Sequence, residues 1–272
     1  MLNALTIDLE NWYDANLIAP YVAAGYRDDR VVSSTRRILD LLDEYQVKAT
    51  FFTLGSLAKE QLELILEIDR RGHEIASHGW GHQLVYSQSK EEFESDLVKS
   101  ISCLNNITGK KVKGYRAPSW SVGEGTPWFY DVLVRNGIEY DSSLFPVRTS
   151  LFGSSSNPRF PHTINCGGKH IVEFPAPSIK LMGRNLPVGG GAFLRIFPLF
   201  FSRWGIKRIN REGQPAVMYF HPWELDEGIP FPKLPWKILH IHKFGVKGMV
   251  KKLRNLIREF EFCPLEELSG RF

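Results

Sequence analysis

The feature that most constrains this chain is its alternation of short, β-rich apolar runs with segments of helical periodicity. Leu2–Ile7 reads as a buried strand, followed by strand-like Val47–Leu54, Glu74–Ala76, Lys113–Tyr115, Ile138–Tyr140, the HIVEF run from His170 to Phe174, and Ala216–Phe220. Between the first two, Ser33 or Ser34 caps a helix bearing Ile38, Leu41, Leu42 and Tyr45 at core-facing spacing. A second helix carries Leu62, Ile65 and Ile68 and stops at Gly72. The third opens on a Ser89/Glu92 capping box and continues through Phe93, Leu97, Ile101 and Leu104. The fourth runs from Thr126 or Pro127 to Asn136, closed by Gly137. Such alternation implies a mainly parallel sheet with helices outside it.

Two stretches fall outside this rhythm. Residues 145–169 are rich in Pro, Ser, Asn and Gly and read as a long surface loop. Gly189–Gly191 lacks both the GxGxxG spacing and a GK[ST] ending, so it reads as a turn rather than a phosphate cradle.

The chemically capable residues share a position. Asp8 and Glu10, His78 and His82, Arg116, Asp141 and His221 each stand where a strand hands over to a loop, on five different strands. The C-terminal strand ends of a parallel α/β barrel converge on one rim, whereas an open doubly wound sheet gathers only those near its switch point. The expected fold is therefore an α/β barrel of parallel strands. A single catalytic domain is expected over residues 1–272, with a C-terminal extension from about 225.

Composition narrows the class further. A net charge of +4 gives no reason to expect nucleic acid as a partner. Three cysteines without a CxxC pair suggest neither a disulfide framework nor a thiolate zinc site. The start lacks the basic flank of a secretory signal, with Asp8 and Glu10 interrupting its apolar run, and no uninterrupted apolar stretch would span a bilayer. These features lead us to expect a cytoplasmic protein. The final helix carries Val246, Met249, Val250, Leu253, Ile257 and Phe260 on one stripe, beside Lys247, Lys251, Lys252, Arg254 and Arg258. That stripe suits either packing on the core or peripheral contact with an anionic membrane, to which Phe197, Phe200, Phe201 and Trp204 would add.

SHGWGH, from Ser77 to His82, places two imidazoles four residues apart, a spacing that a helical turn would convert into a metal clamp. With Glu10 as the carboxylate, the set Glu10, His78 and His82 matches a three-ligand site for a catalytic divalent metal, zinc being favoured. Asp8 is left as general base and His221 as general acid for a departing amine. Arg116 would pair with Asp8, and Asp141 would hold the ring of His221. The backbone amide of Ser119 is an oxyanion donor, with Trp120 and Trp223 beside the substrate.

These motifs resemble the metal-dependent polysaccharide deacetylases, carbohydrate esterase family four with its NodB-type homology domain. TIDLE (Thr6–Glu10), SHGWGH, RAPSW (Arg116–Trp120), YDSS (Tyr140–Ser143) and YFHPWEL around His221 follow the family's motif order, and VKATFFTLG, GHEIASHG and GYRAPS are especially close. GRNLPVGGGAF and FHPWEL resemble a branch associated with bacterial exopolysaccharide gene clusters. The resemblance implies a distorted (β/α) barrel of about seven strands, and removal of N-acetyl groups from an amino-sugar glycan; a membrane-proximal role would suit a lipid-linked one. Departures are visible too: Leu9 fills the place of the second of two adjacent aspartates, Ser119 that of an aromatic and Trp120 that of a glycine.

Two other readings fit the same residues. A hydrolase of cyclic amides or ureides would use the same metal in a closed pocket, while a glycan enzyme needs an open groove with platforms such as Trp12, Tyr13, Trp120, Trp128 and Trp223. A catalytically silent carbohydrate-binding module would not need Asp8, His78, His82 and His221 intact.

Overall fold

The computed structural model describes residues 1–149 and 152–272. In spatial order its main sheet runs β10 (Val217–Phe220), β1 (Asn3–Leu9), β2 (Thr50–Thr53), β3 (Glu74–Ser77), β4 (Gly114–Tyr115), β5 (Tyr140–Asp141), β7 (Lys169–Glu173) and β6 (His162–Cys166). The seven strands from β10 to β7 are parallel, and β6 is antiparallel to β7. Among the described residues nothing pairs β6 or β7 with β10, so the curled sheet is a half-barrel, open on that side.

Register decides what faces the interior. Leu9, Thr53, Ser77, Tyr115, Asp141 and Glu173 lie on one rung across β1, β2, β3, β4, β5 and β7. Paired residues point to the same face, and Leu9 and Tyr115 of this rung belong to the large apolar core under the helices. Side chains one step away therefore face into the curl. Asp8 and Phe52 precede the rung, while Glu10, His78, Arg116 and Ser142 immediately follow it. On the other side of β1, Ile7 pairs with Phe220, which puts His221 level with Asp8.

The helices α1 (Arg30–Glu44), α2 (Gly55–Glu60), α3 (Leu62–Arg70), α4 (Lys90–Thr108) and α5 (Phe129–Arg135) alternate with β1 to β5. α1 begins earlier than its serines suggest: Asp29 is the residue before it, and Ser34 is buried within it. The Ser89/Glu92 capping box of α4 forms as expected. SHGWGH is not a helical turn; it is an irregular loop leaving β3, with Gly79 and His82 both at positive φ. The segment 145–169 holds β6, joined to β7 by Gly167-Gly168, both at positive φ, as a two-residue hairpin of the primed type requires. A second hairpin, β8 (Ser178–Leu181) with β9 (Arg184–Pro187), turns at Met182-Gly183.

Beyond it lie α6 (Gly191–Ile196) and α7 (Leu199–Arg211), and after β10 come α8 (Trp236–Lys243), α9 (Met249–Glu259), β11 (Phe262–Cys263) and α10 (Leu265–Ser269). β11 pairs with β1, and the Leu265 amide donates to Thr50 Oγ1 at 2.7 Å, so the last residues seal the lower end of the sheet. The stripe on α9 packs inward: Met249, Leu253, Leu256 and Ile257 are buried in the core, leaving Lys251, Arg254 and Arg258 outside, while Lys252 is half-buried and its Nζ donates to the carbonyls of Leu194, Arg195 and Phe197. The apolar stripe of the final helix is therefore core packing and not a membrane face. All three cysteines are free. Among the described residues, no helix is long and apolar enough to cross a membrane.

Candidate active site

The inward residues above the rung meet in a cavity of about 160 Å³ whose lining includes Asp8, Glu10, His78, His82, Ser119, Trp120, Tyr219, His221 and Trp223. Asp8 is 2% exposed, and Arg116 Nη1 donates to its Oδ1 at 2.6 Å. The rest of that guanidinium is held by Thr6 Oγ1 and by the carbonyl and hydroxyl of Ser142, and it lies 4.1 Å from the centre of the Phe52 ring. This network fixes the carboxylate and leaves Asp8 Oδ2 free to face His221 Nε2 at 3.8 Å.

Glu10 sits opposite. Its Oε2 lies 2.7 Å from His82 Nε2 and 4.0 Å from His78 Nε2, and one ligand atom from each of the three residues can be chosen so that all lie within 4.8 Å of one another. His78 Nδ1 donates to the Arg116 carbonyl at 2.8 Å, which leaves the lone pair of Nε2 facing inward. Glu10 Oε2 is buried with only the His82 ring at hydrogen-bonding distance, and His82 Nδ1 is buried with no hydrogen-bond partner among the described residues. Burial raises the proton affinity of Glu10, but His82, with His221 and His78, outweighs it and holds the carboxyl below its ordinary range. Burial pushes His78 down to about 4, whereas for His82 the attraction of Glu10 overcomes burial and raises its pKa. A buried carboxylate facing two buried imidazoles, one pushed toward its neutral form, is a donor set that fits a divalent cation.

His221 is oriented by a residue to which the sequence reading assigned no role. Glu224, fully buried, accepts from the His221 amide at 3.0 Å and contacts His221 Nδ1 at 3.1 Å through Oε2, while Arg195 Nε donates to its Oε1 at 2.5 Å. Burial disfavours the charged ring, but the attraction of Glu224 prevails and His221 is pushed up to about 9. His221 Nε2 then faces both Asp8 Oδ2 and Glu10 Oε1, each at 3.8 Å. The i, i+3 spacing in HPWE was the available signal for Glu224; nothing in GAFLRI marked Arg195.

Asp141 does not hold His221. It lies on the rung whose side chains face the helices, where it accepts from Ser143 Oγ at 2.7 Å and from the Ser143 amide, while Ser143 Oγ in turn accepts from the Ala117 amide. Burial and the nearby Glu173 raise its pKa well above the carboxylate range. Asp141 thus braces the loop that carries Arg116 to Trp120, from the far side of the sheet.

That loop is strained: Ser119 and Trp120 both take positive φ, at 51° and 47°. The Trp120 and Ser121 amides bond back to Ala117 and Pro118, whereas the Ser119 amide has no acceptor among the described residues and remains the candidate oxyanion donor. Trp120 forms a wall against Tyr219, with ring centroids 4.5 Å apart. Trp223 donates from Nε1 to Glu10 Oε1 at 3.1 Å and stacks on His221, so it positions both groups. Trp12 and Tyr13 are buried with Tyr26 and Phe231, and Trp128 packs on Phe93, so none of the three is a platform. Gly189–Gly191 is no simple turn: a Cβ on Gly190 would stand 2.0 Å from the Tyr219 ring, so these glycines let the backbone lie flat on β10 beside the pocket.

Residues 22–138 match the polysaccharide deacetylase family, and residues 142–269 match a domain of unknown function, DUF3473. A peptidoglycan deacetylase of Helicobacter pylori is 32% identical over 40% of this chain and 36% of its own length. A peptidoglycan-N-acetylglucosamine deacetylase of Bacillus cereus is 26% identical over 60% of this chain and 58% of its own. The chain thus spans less than two thirds of either relative. A solved structure from Mycobacterium smegmatis, classed with the polysaccharide deacetylases, superposes with a TM-score of 0.65 at 20% identity, covering 99% of this chain and 89% of that one, which establishes a shared fold. Residues 22–138 are thus similar to the polysaccharide deacetylase family, and the chain as a whole shares the fold of a structure classed with it.

Proposed function

We propose that this protein is a metal-dependent hydrolase that removes N-acetyl groups from amino sugars of a bacterial poly- or oligosaccharide. Glu10, His78 and His82 would hold the cation, and one carboxylate with two imidazoles suits zinc. When bound, the cation supplies Lewis acidity toward the amide carbonyl and acidifies water.

The remaining work falls to the chain's own groups. Asp8, tied through Oδ1 to Arg116, takes a proton from the attacking water on Oδ2. The Ser119 amide donates to the carbonyl oxygen as negative charge grows there. His221 Nε2–H gives its proton to the amide nitrogen as the C–N bond breaks, releasing acetate and the free amine. Glu224 keeps the Nδ1 side of that ring occupied, so Nε2 is the nitrogen presented to the pocket.

The observation that carries this reading is the convergence on one cavity of Asp8 and Glu10, each 3.8 Å from His221 Nε2, with His78 and His82 beside Glu10. Acetate release from N-acetylated oligosaccharides, with and without a chelator, tests it. Asp8→Asn and His221→Ala should each abolish release, as should chelation. Undiminished release after any of these treatments would overturn the assignment.

One observation favours a second reading. A cavity of about 160 Å³ is smaller than pockets for drug-sized ligands and suits a small cyclic amide or ureide. Assaying a cyclic ureide beside the acetylated oligosaccharide separates the two, since turnover of the ureide alone would select the second.

A further inference from the structure

Charge is distributed unevenly along this chain. Residues 174–211 and 228–258 together carry 15 of its 34 Lys and Arg and none of its 30 Asp and Glu, which leaves the remainder with 19 cations against 30 anions. A net charge of +4 therefore conceals a strongly basic part and an acidic part. The two basic segments are also neighbours in space. Arg195 Nη1 of α6 donates to the carbonyls of Ile241, His242 and Phe244 at the end of α8, and Gly245 packs directly on the Arg195 backbone.

The same segments expose apolar side chains. Trp236 is 72% exposed, Phe200 71%, Phe244 46%, Ile196 40%, Ile241 39% and Trp204 38%; these are six of the fourteen large hydrophobic residues exposed among the described residues. Trp236 opens α8 and Phe244 directly follows its last residue, with Ile241 exposed between them. Phe200 and Trp204 share a face of α7, and Ile196 ends α6 beside Phe244. Interspersed are Lys237, Lys243 and Lys247, exposed and without an ion pair among the described residues. Exposed tryptophan and phenylalanine among unpaired lysines suit an interface that offers hydrocarbon beneath negative charge.

We infer that α7 and α8 form a docking surface for an anionic lipid bilayer at the rim of the pocket. Ile241 and His242 of α8 line the cavity together with Phe193 and Arg195 of the adjoining α6, so the docked protein would hold its pocket mouth close to the membrane. An amino-sugar glycan anchored in that membrane is the substrate class this arrangement serves. That consequence rests on the deacetylase reading of the pocket; binding to vesicles does not.

Flotation tests the inference with phosphatidylcholine vesicles, with and without phosphatidylglycerol. The full chain should float with the anionic vesicles and stay behind with the neutral ones. Trp236→Ala and Phe200→Ala should each lower partitioning about tenfold, and Lys237→Glu with Lys243→Glu should abolish it, while Val98→Ala on α4 should leave it unchanged. None of these side chains lines the cavity, so acetate release from a soluble oligosaccharide should persist in every variant. Absence of flotation, or equal flotation by Trp236→Ala and the wild type, would overturn the docking surface whatever the enzyme assay shows. A dimer in sedimentation velocity that Trp236→Ala dissociates would also overturn it, assigning the surface to a second copy of the chain.

Discussion

Replacing Glu224 with Gln removes one buried charge from a chain of three groups: Arg195, Glu224 and His221. The wild-type carboxyl is pushed down to about 2, because Arg195 and His221 outweigh the burial that would raise it. Against an ordinary value of 4.5, that depression corresponds to about 3 kcal/mol of stability. The figure agrees with the ~3–5 kcal/mol typical of breaking a buried pair. The rise of His221 to about 9 reflects in part the same interaction seen from its partner, so the two are not added. A depressed carboxyl stabilises fully above its unfolded pKa and loses that contribution as pH falls through its folded one. Urea unfolding followed by tryptophan fluorescence reads this directly, since Trp223 stacks on His221 with ring centroids 5.0 Å apart. Glu224→Gln should be about 3 kcal/mol less stable than wild type at pH 7, with the gap closing as pH falls from about 4.5 toward 2. In the proposed reaction kcat should fall and the basic limb of the pH profile should move to lower pH, because the ring of His221 loses the group that keeps it protonated. Equal stability at pH 7, or a gap that does not change with acidification, would refute the assignment of Glu224 as the paired group.

Three further outcomes are expected. Asp141→Asn should leave the pH profile of acetate release unmoved, because Asp141 has its proton affinity raised well above normal and faces away from His221; a shift matching that of Glu224→Gln would contradict the geometry. Gly190→Ala should destabilise the fold by at least about 2 kcal/mol in thermal melting, since its Cβ would enter the Tyr219 ring at a φ of 91°; an unchanged melting temperature would show that the close approach is not needed. Leu253→Ala on α9 should cost about 3 kcal/mol in urea unfolding without changing vesicle binding, because that face is core; loss of flotation with normal stability would reverse the reading.

Much of the fold and site was legible in the linear pattern. Strand and helix alternation announced the parallel sheet, and the change from apolar run to polar motif marked the strand ends on which Asp8, Glu10, His78, Arg116 and His221 stand. Local signals act within a few residues, which is why the Ser89/Glu92 box was readable. The Gly167-Gly168 hairpin was equally local, yet a loop-like composition around it hid β6.

Only the tertiary structure could decide what depends on register between strands distant in sequence. Asp141 and Arg116 both sit at strand ends, but side chains alternate across a sheet, so pairing Tyr115 with Asp141 sends the aspartate to the helices while Arg116, one residue later on its own strand, turns inward to Asp8. The same dependence hid Arg195, whose partner Glu224 is 29 residues away. The amino-acid order by itself determined which residues stand at the rim; the rung on which each strand pairs determined which of them meet.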